Sequence, residues 1–175
     1  MRGACVVVGL TLVARVMAAQ QFTPPRVSSD EPRRGTHLGL YGFGARTGAD
    51  LSGNGQMIFG TTIDFGDLFT SRLRVRPSAE IGVFNGGNSY VASTEALYRF
   101  TGDNQGVIPY LGGGMSLAGH ADCGSDPGCP ALWVNVVFGF ELHYRSTFNW
   151  ILEYHGMDAL RRHRLYVGLT TRRGS

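Results

Sequence analysis

Two carboxylate–histidine pairs carry the most reactive side-chain chemistry in the sequence: Glu141 with His143, and Glu153 with His155. Residues two apart share one face of an extended strand, so either pair could pass a proton between its members. No serine completes a nucleophilic set, because Gly156 and Met157 follow His155. His120, Cys123 and Cys129 form H-x2-C-x5-C, half of a zinc ligand set that lacks a fourth donor. A disulfide between Cys123 and Cys129 is the simpler use of that pair, since the Gly and Pro residues between them supply the turn. The run Gly112, Gly113 and Gly114 is no phosphate loop, because the chain contains no lysine and no helical pattern follows. No cofactor or metal is expected.

The elements that position these residues are strands. From His37 onward, period-two alternation recurs and the 3.6-residue spacing of an amphipathic helix does not. In one stretch Leu73, Val75, Pro77, Ala79, Ile81 and Val83 alternate with Arg74, Arg76, Ser78, Glu80 and Gly82. In another, Leu132, Val134, Val136, Phe138, Phe140, Leu142 and Tyr144 alternate with Trp133, Asn135, Val137, Gly139, Glu141, His143 and Arg145. Eight strands follow, at roughly 37–46, 56–68, 72–84, 89–100, 106–118, 131–145, 148–156 and 163–173. The first is rich in glycine and its facing is ambiguous.

Eight strands of about ten residues suit either a soluble barrel or a membrane barrel, and the two differ in which face turns inward. Here the apolar face is bulky and continuous, whereas the other face mixes Gly and Ser with acids and arginines in comparable numbers. The expected lumen network contains Asp64, Arg74, Arg76, Glu80, Glu95, Arg99, Glu141, His143, Arg145, Glu153 and Arg164. Enclosing unpaired charges would cost several kcal/mol each, so the two signs must pair. The alternative is a soluble sandwich whose outer face carries mixed charge, but it leaves the glycines of that face without a purpose. The expected fold class is therefore all-β, an eight-stranded antiparallel up-and-down transmembrane barrel.

Residues 1–19 read as a secretory signal peptide: an early arginine, an apolar stretch from Ala4 to Ala14, then the small residues Ala18 and Ala19. Residues 20–36, with three prolines and little apolar content, read as a flexible periplasmic lead-in, and residues 37–175 as the barrel. Removing Arg2 and Arg15 with the leader leaves 14 arginines against 13 acids, so the basic balance does not indicate nucleic acid. Export favours the Cys123–Cys129 disulfide. Connections at 47–55, 85–88, 119–130 and 157–162 are expected outside the cell and those at 69–71, 101–105 and 146–147 inside; three of the four outer ones are longer than every inner one, 85–88 being the exception. Phe69, Tyr98, Phe100, Tyr144, Phe148 and Trp150 gather near the expected inner rim as an aromatic girdle.

The segments VIPYLGGGM (107–115), FGFELHYR (138–145), WILEYH (150–155) and HRLYVGLTT (163–171), in this order, resemble the small outer-membrane β-barrel proteins that include the OmpA-like and OmpW-like barrels. The resemblance implies an eight-stranded barrel in the outer membrane, without catalytic residues, whose partners are outer-membrane lipids and the barrel-assembly machinery. The expected role is non-enzymatic, anchoring the envelope or giving porin-like passage to very small solutes; the alternative, which OmpW-like relatives suggest, is that the outer loops or a lateral opening between strands bind a surface partner or a small hydrophobic ligand. Small outer-membrane lipid A deacylases carry a His-x-Ser motif that is absent after His155. The family's closing strand usually ends on an aromatic residue used in insertion, whereas here Arg172 and Arg173 follow Thr171 and could meet anionic lipid head groups.

Overall fold

The computed structural model describes residues 34–52, 55–84, 87–103, 105–145 and 147–172. The expected signal peptide and the lead-in up to residue 33 lie outside the described residues. Eight strands run in order: β1 (His37–Asp50), β2 (Gln56–Asp67), β3 (Leu73–Val83), β4 (Ser89–Arg99), β5 (Val107–His120), β6 (Ala131–His143), β7 (Phe148–Met157) and β8 (Arg162–Thr171). Each is antiparallel to its neighbours, and β1 pairs with β8 to close the barrel. The closing pair runs over Gly44–Asp50 of β1 and joins the two ends of the sheet through the wall, the arrangement that lets strands sit in hydrocarbon.

The direction of the side chains follows the alternation read from the sequence. On β6, Val134, Val136 and Phe138 are exposed, while Asn135, Val137 and Gly139 between them are buried. On β3, Ile81 faces out and Arg74, Ser78, Glu80 and Gly82 are buried. The exterior is therefore apolar around the wall, with Phe59, Ile81, Phe138, Leu152 and Val167 among its exposed residues. The packed core lies inside the barrel, where Tyr110, Tyr166, Ile58, Ile108, Ile151 and Val137 share the space with charged side chains. This apolar share of the interior is larger than the alternation alone implies.

Glycines on the inner face provide room for the largest of these side chains. A Cβ added at Gly139 would stand 2.7 Å from Tyr110 Cζ, and one at Gly60 would stand 2.9 Å from Glu80 Cγ. Substituting Gly139 by Ala is accordingly expected to lower stability by about 1–3 kcal/mol, through displacement of the Tyr110 ring. A urea titration of the folded fraction would read this, and an unchanged midpoint would count against the packing described.

Two expectations need correction. β1 runs on to Asp50 and β5 to His120, so the connections at one end shrink to 51–55, 84–88, 121–130 and 158–161, against 68–72, 100–106 and 144–147 at the other. Only 121–130 is clearly long, so loop length separates the two ends much less than the sequence suggested. Arg145 does not enter the lumen. The alternation stops at His143, and Arg145 sits exposed in the next turn, its guanidinium 5.3 Å from the centre of the Tyr144 ring.

Candidate functional site

The charged residues inside the barrel form two groups. The first is a continuous chain of alternating sign from one mouth to the middle. Arg164 on β8 donates to Asp50 and Glu80, each at 3.0 Å. Glu80 also accepts from Arg46, which reaches on to Glu153 at 2.6 Å. Glu153 accepts from Arg76 as well, and Arg76 donates to Glu95 at 2.9 Å. The order is Asp50, Arg164, Glu80, Arg46, Glu153, Arg76, Glu95, so every cation lies between two carboxylates.

Hydrogen-bonding side chains complete the shell of this chain. Tyr166 donates to Glu80 at 2.7 Å and Asn135 to Glu95 at 3.1 Å, while Tyr110 donates to Glu153. His155 sits between two carboxylates, with Nε2 3.0 Å from Glu153 and Nδ1 3.4 Å from Glu95. The Arg46 guanidinium also lies 4.6 Å from the centre of the Tyr166 ring, a cation–π contact inside a desolvated space. A fork-shaped guanidinium can hold two carboxylates at once, which a lysine ammonium would do less well, and the chain has no lysine.

The second group closes the other mouth. Arg74 lies 2.9 Å from Asp103, 3.6 Å from Asp64, and 3.9 Å from both Asp67 and Glu141. Arg99 pairs with Asp103 and, at 3.3 Å, with Glu141, which also accepts from Asn149. Asp103 belongs to the β4–β5 turn, so this turn folds its carboxylate into the mouth. Between the two groups lies a cavity lined by Asp64, Arg74, Arg76, Arg99, Tyr110 and Glu141, among others. Its water-accessible core is about 30 Å³, room for a few water molecules and no larger solute.

The two carboxylate–histidine pairs do not converge. Antiparallel pairing puts Glu153 opposite Gly139 in mid-barrel and leaves Glu141 and His143 near the turn end. His143 Nε2 is buried without a hydrogen-bond partner among the described residues. Glu153 and His155 are each 1% exposed and enclosed by Arg46, Arg76 and Tyr110, so no substrate can reach them. Of the residues named from the sequence, Arg74, Arg76, Glu80, Glu95, Arg99, Glu141, Glu153, Arg164 and Asp64 all lie within these two groups. Arg46, Asp50, Asp67, Asp103, Tyr110, Tyr166 and His155 join these groups without being in the lumen set expected from the sequence, and Arg46 is the residue that joins Glu80 to Glu153.

At the opposite surface, Cys123 and Cys129 form a disulfide across 121–130, with Cα atoms 5.1 Å apart. Within the bridged segment Asp126 accepts from the Gly128 N–H at 2.8 Å and lies 3.3 Å from His120 Nε2. These two contacts hold the Asp126 carboxyl below its usual range. Among the described residues no group of three or more His, Cys, Asp or Glu side chains is placed to hold a metal ion. The loop lies outside the barrel wall, so Cys129→Ser is expected to leave the barrel folded and to admit protease between 123 and 129. A protease digest followed by mass measurement checks this, and loss of the whole barrel would contradict it.

No protein-family model matches the chain, and no curated protein matches it. Solved structures do share its fold. The N-terminal β-barrel domain of Pseudomonas aeruginosa OprF superposes with a TM-score of 0.57 at 13% identity, over 76% of this chain and 98% of that one. Neisserial surface protein A gives 0.54 at 15%, over 75% and 94%, and a de novo designed transmembrane β-barrel gives 0.52 at 11%, over 82% and 98%. At these identities the likeness is one of fold, and the fold is that of the closed, eight-stranded, antiparallel membrane barrels.

Proposed function

We propose that the protein is a non-enzymatic barrel of the bacterial outer membrane, with a structural role in the envelope and no open channel. The observation that carries this reading is the inverted distribution of side chains: an apolar outer wall around an interior packed with paired ions. In water such a wall would be a large adhesive patch, and in hydrocarbon it is the surface that solvates best. The paired interior supports the absence of a porin-level path, because a solute would have to break contacts that are each desolvated and charge-assisted. The same filling argues against a hydrophobic ligand inside the barrel. Export by the signal peptide and insertion by the assembly machinery complete this reading.

A second reading rests on the 121–130 loop, the longest connection and the one that is cross-linked, which gives a stiffened surface for a partner outside the cell. Both can be tested on the full chain in a Gram-negative host. Fractionation should place the protein with outer membranes, and the unboiled band should run differently from the boiled one on a detergent gel. Planar-bilayer recordings should lack porin-level steps. A soluble, heat-insensitive band would reject the membrane reading, and large steady steps would reject the closed interior. If the loop serves a partner, deleting 122–128 should abolish surface binding while leaving insertion intact.

A further inference from the structure

Five arginines are consumed inside the barrel, and four more of the described ones gather at its turn end. Arg34 bridges to Thr70, Arg72 lies in the β2–β3 turn, Arg145 in the β6–β7 turn, and Arg172 directly follows β8. Arg34 and Arg145 are exposed, and Arg72 and Arg172 are half-buried. The carboxylates at this end, Asp64, Asp67, Asp103 and Glu141, all lie against Arg74 or Arg99 on the inside. Arg172 turns its guanidinium to the Asp103 carbonyl at 3.3 Å, so among the described residues the outward charge of this rim is that of Arg34, Arg72 and Arg145, and it is positive. The loop end is mixed, with exposed Asp122 and Asp126 beside exposed Arg161 and Arg162.

Arg145 is the best placed of the four. Its guanidinium stands over the ring of Tyr144, and Tyr144 meets Trp150 edge-on at 6.0 Å between centres. Both rings are exposed on the outer wall. Arg172 is fixed beside the same turn, its backbone N–H donating to the Thr147 carbonyl at 2.8 Å. Exposed aromatic rings at a barrel rim sit at head-group depth, and a guanidinium packed on one of them is within reach of lipid phosphates.

We propose that the turn end of the barrel is an anionic-phospholipid contact, with the phosphate of a lipid such as phosphatidylglycerol held by Arg145 above Tyr144 and Trp150. The proposal rests on the membrane reading above. A lipid fits better than a soluble polyanion because Arg145 packs on Tyr144, a ring of the outer wall, where acyl chains run.

The chain has two tryptophans, Trp133 at the loop end and Trp150 at this rim, so Trp133→Phe leaves Trp150 as a local reporter. The variant is folded into vesicles, and its fluorescence is quenched by acyl-brominated phosphatidylglycerol or by equally brominated phosphatidylcholine. A basic residue near a lipid surface adds about 1 kcal/mol, so the anionic lipid should be preferred by about fivefold. Added salt should reduce that preference. Arg145→Gln should bring it close to unity and Arg145→Lys should retain it. Arg161→Gln, at the opposite end, should leave it unchanged. Equal quenching by the two lipids in the folded protein would overturn the proposal while leaving the barrel in the membrane. Absence of quenching by either lipid would overturn the membrane reading and this proposal with it.

Discussion

Glu153→Ala should be the most damaging single substitution in the barrel, lowering stability by about 3–5 kcal/mol. Glu153 accepts from Arg46, Arg76 and Tyr110 and lies beside His155, all within the enclosed mid-barrel. Removing it leaves two guanidiniums in a desolvated space with half of their counter-charge gone, since Arg46 keeps Glu80 and Arg76 keeps Glu95. The penalty is that of stranded charge, which exceeds the net worth of the original pair. Glu153→Gln should cost less, because an amide oxygen still accepts from Tyr110 and one arginine. Equilibrium unfolding in urea, read on the barrel in vesicles or detergent, gives both values. A loss under about 1 kcal/mol for the alanine variant would mean that the carboxylate is not held as described.

The second large effect should come from the outer wall. Phe138 is near the middle of β6, exposed, and opposite Leu111 and Tyr154 on the neighbouring strands. Phe138→Arg should destabilise the barrel by about 2–4 kcal/mol in a bilayer, because the guanidinium then lies near the centre of the hydrocarbon. On a water-facing wall the same change would fall within about 0.5 kcal/mol. Phe138→Leu keeps the surface apolar and should be nearly neutral in lipid. Paired unfolding titrations of the two variants in vesicles separate the environments, and similar small values for both would place that face in water.

Much of this architecture could be read from alternation because most strands keep one parity from end to end. On β3, β6 and β7 a bulky residue at every second position marks the outer face and leaves the inner face by subtraction. β1 resisted the same reading: its inner positions Gly42, Gly44 and Gly48 carry no side chain, and its register against β2 shifts between Leu38 and Gly42. Arg46 was lost with it, although Gly44, Arg46, Gly48 and Asp50 form one series once the parity is known. Tyr110 and Tyr166 were missed for a different reason. Bulk marks the lipid face in the alternation, whereas these two large rings have hydroxyls that satisfy Glu153 and Glu80 and fill space beside Gly139 and Gly48.

Arg145 and Asp103 mark the other limit of sequence pattern. Alternation holds only while the backbone is extended, so continuing it past His143 put Arg145 on the wrong side of the wall. Asp103 lies in a turn, where no period applies, and its inward placement follows from the attraction of Arg74 and Arg99. The strand ends were also underestimated at β1 and β5, which is why the expected loop-length asymmetry fell to a single connection.

The inverted wall on which the whole reading depends can be measured directly by spin labelling along β6. In a Cys123→Ser, Cys129→Ser background, single cysteines at 134, 135, 136, 137 and 138 would each carry a nitroxide in the vesicle-inserted protein. Labels at 134, 136 and 138 should collide freely with membrane-dissolved oxygen and be hidden from a water-soluble nickel reagent, while those at 135 and 137 should be shielded from both. The opposite phase, with 134, 136 and 138 immobilised inside or open to the nickel reagent as in bulk water, would contradict the account.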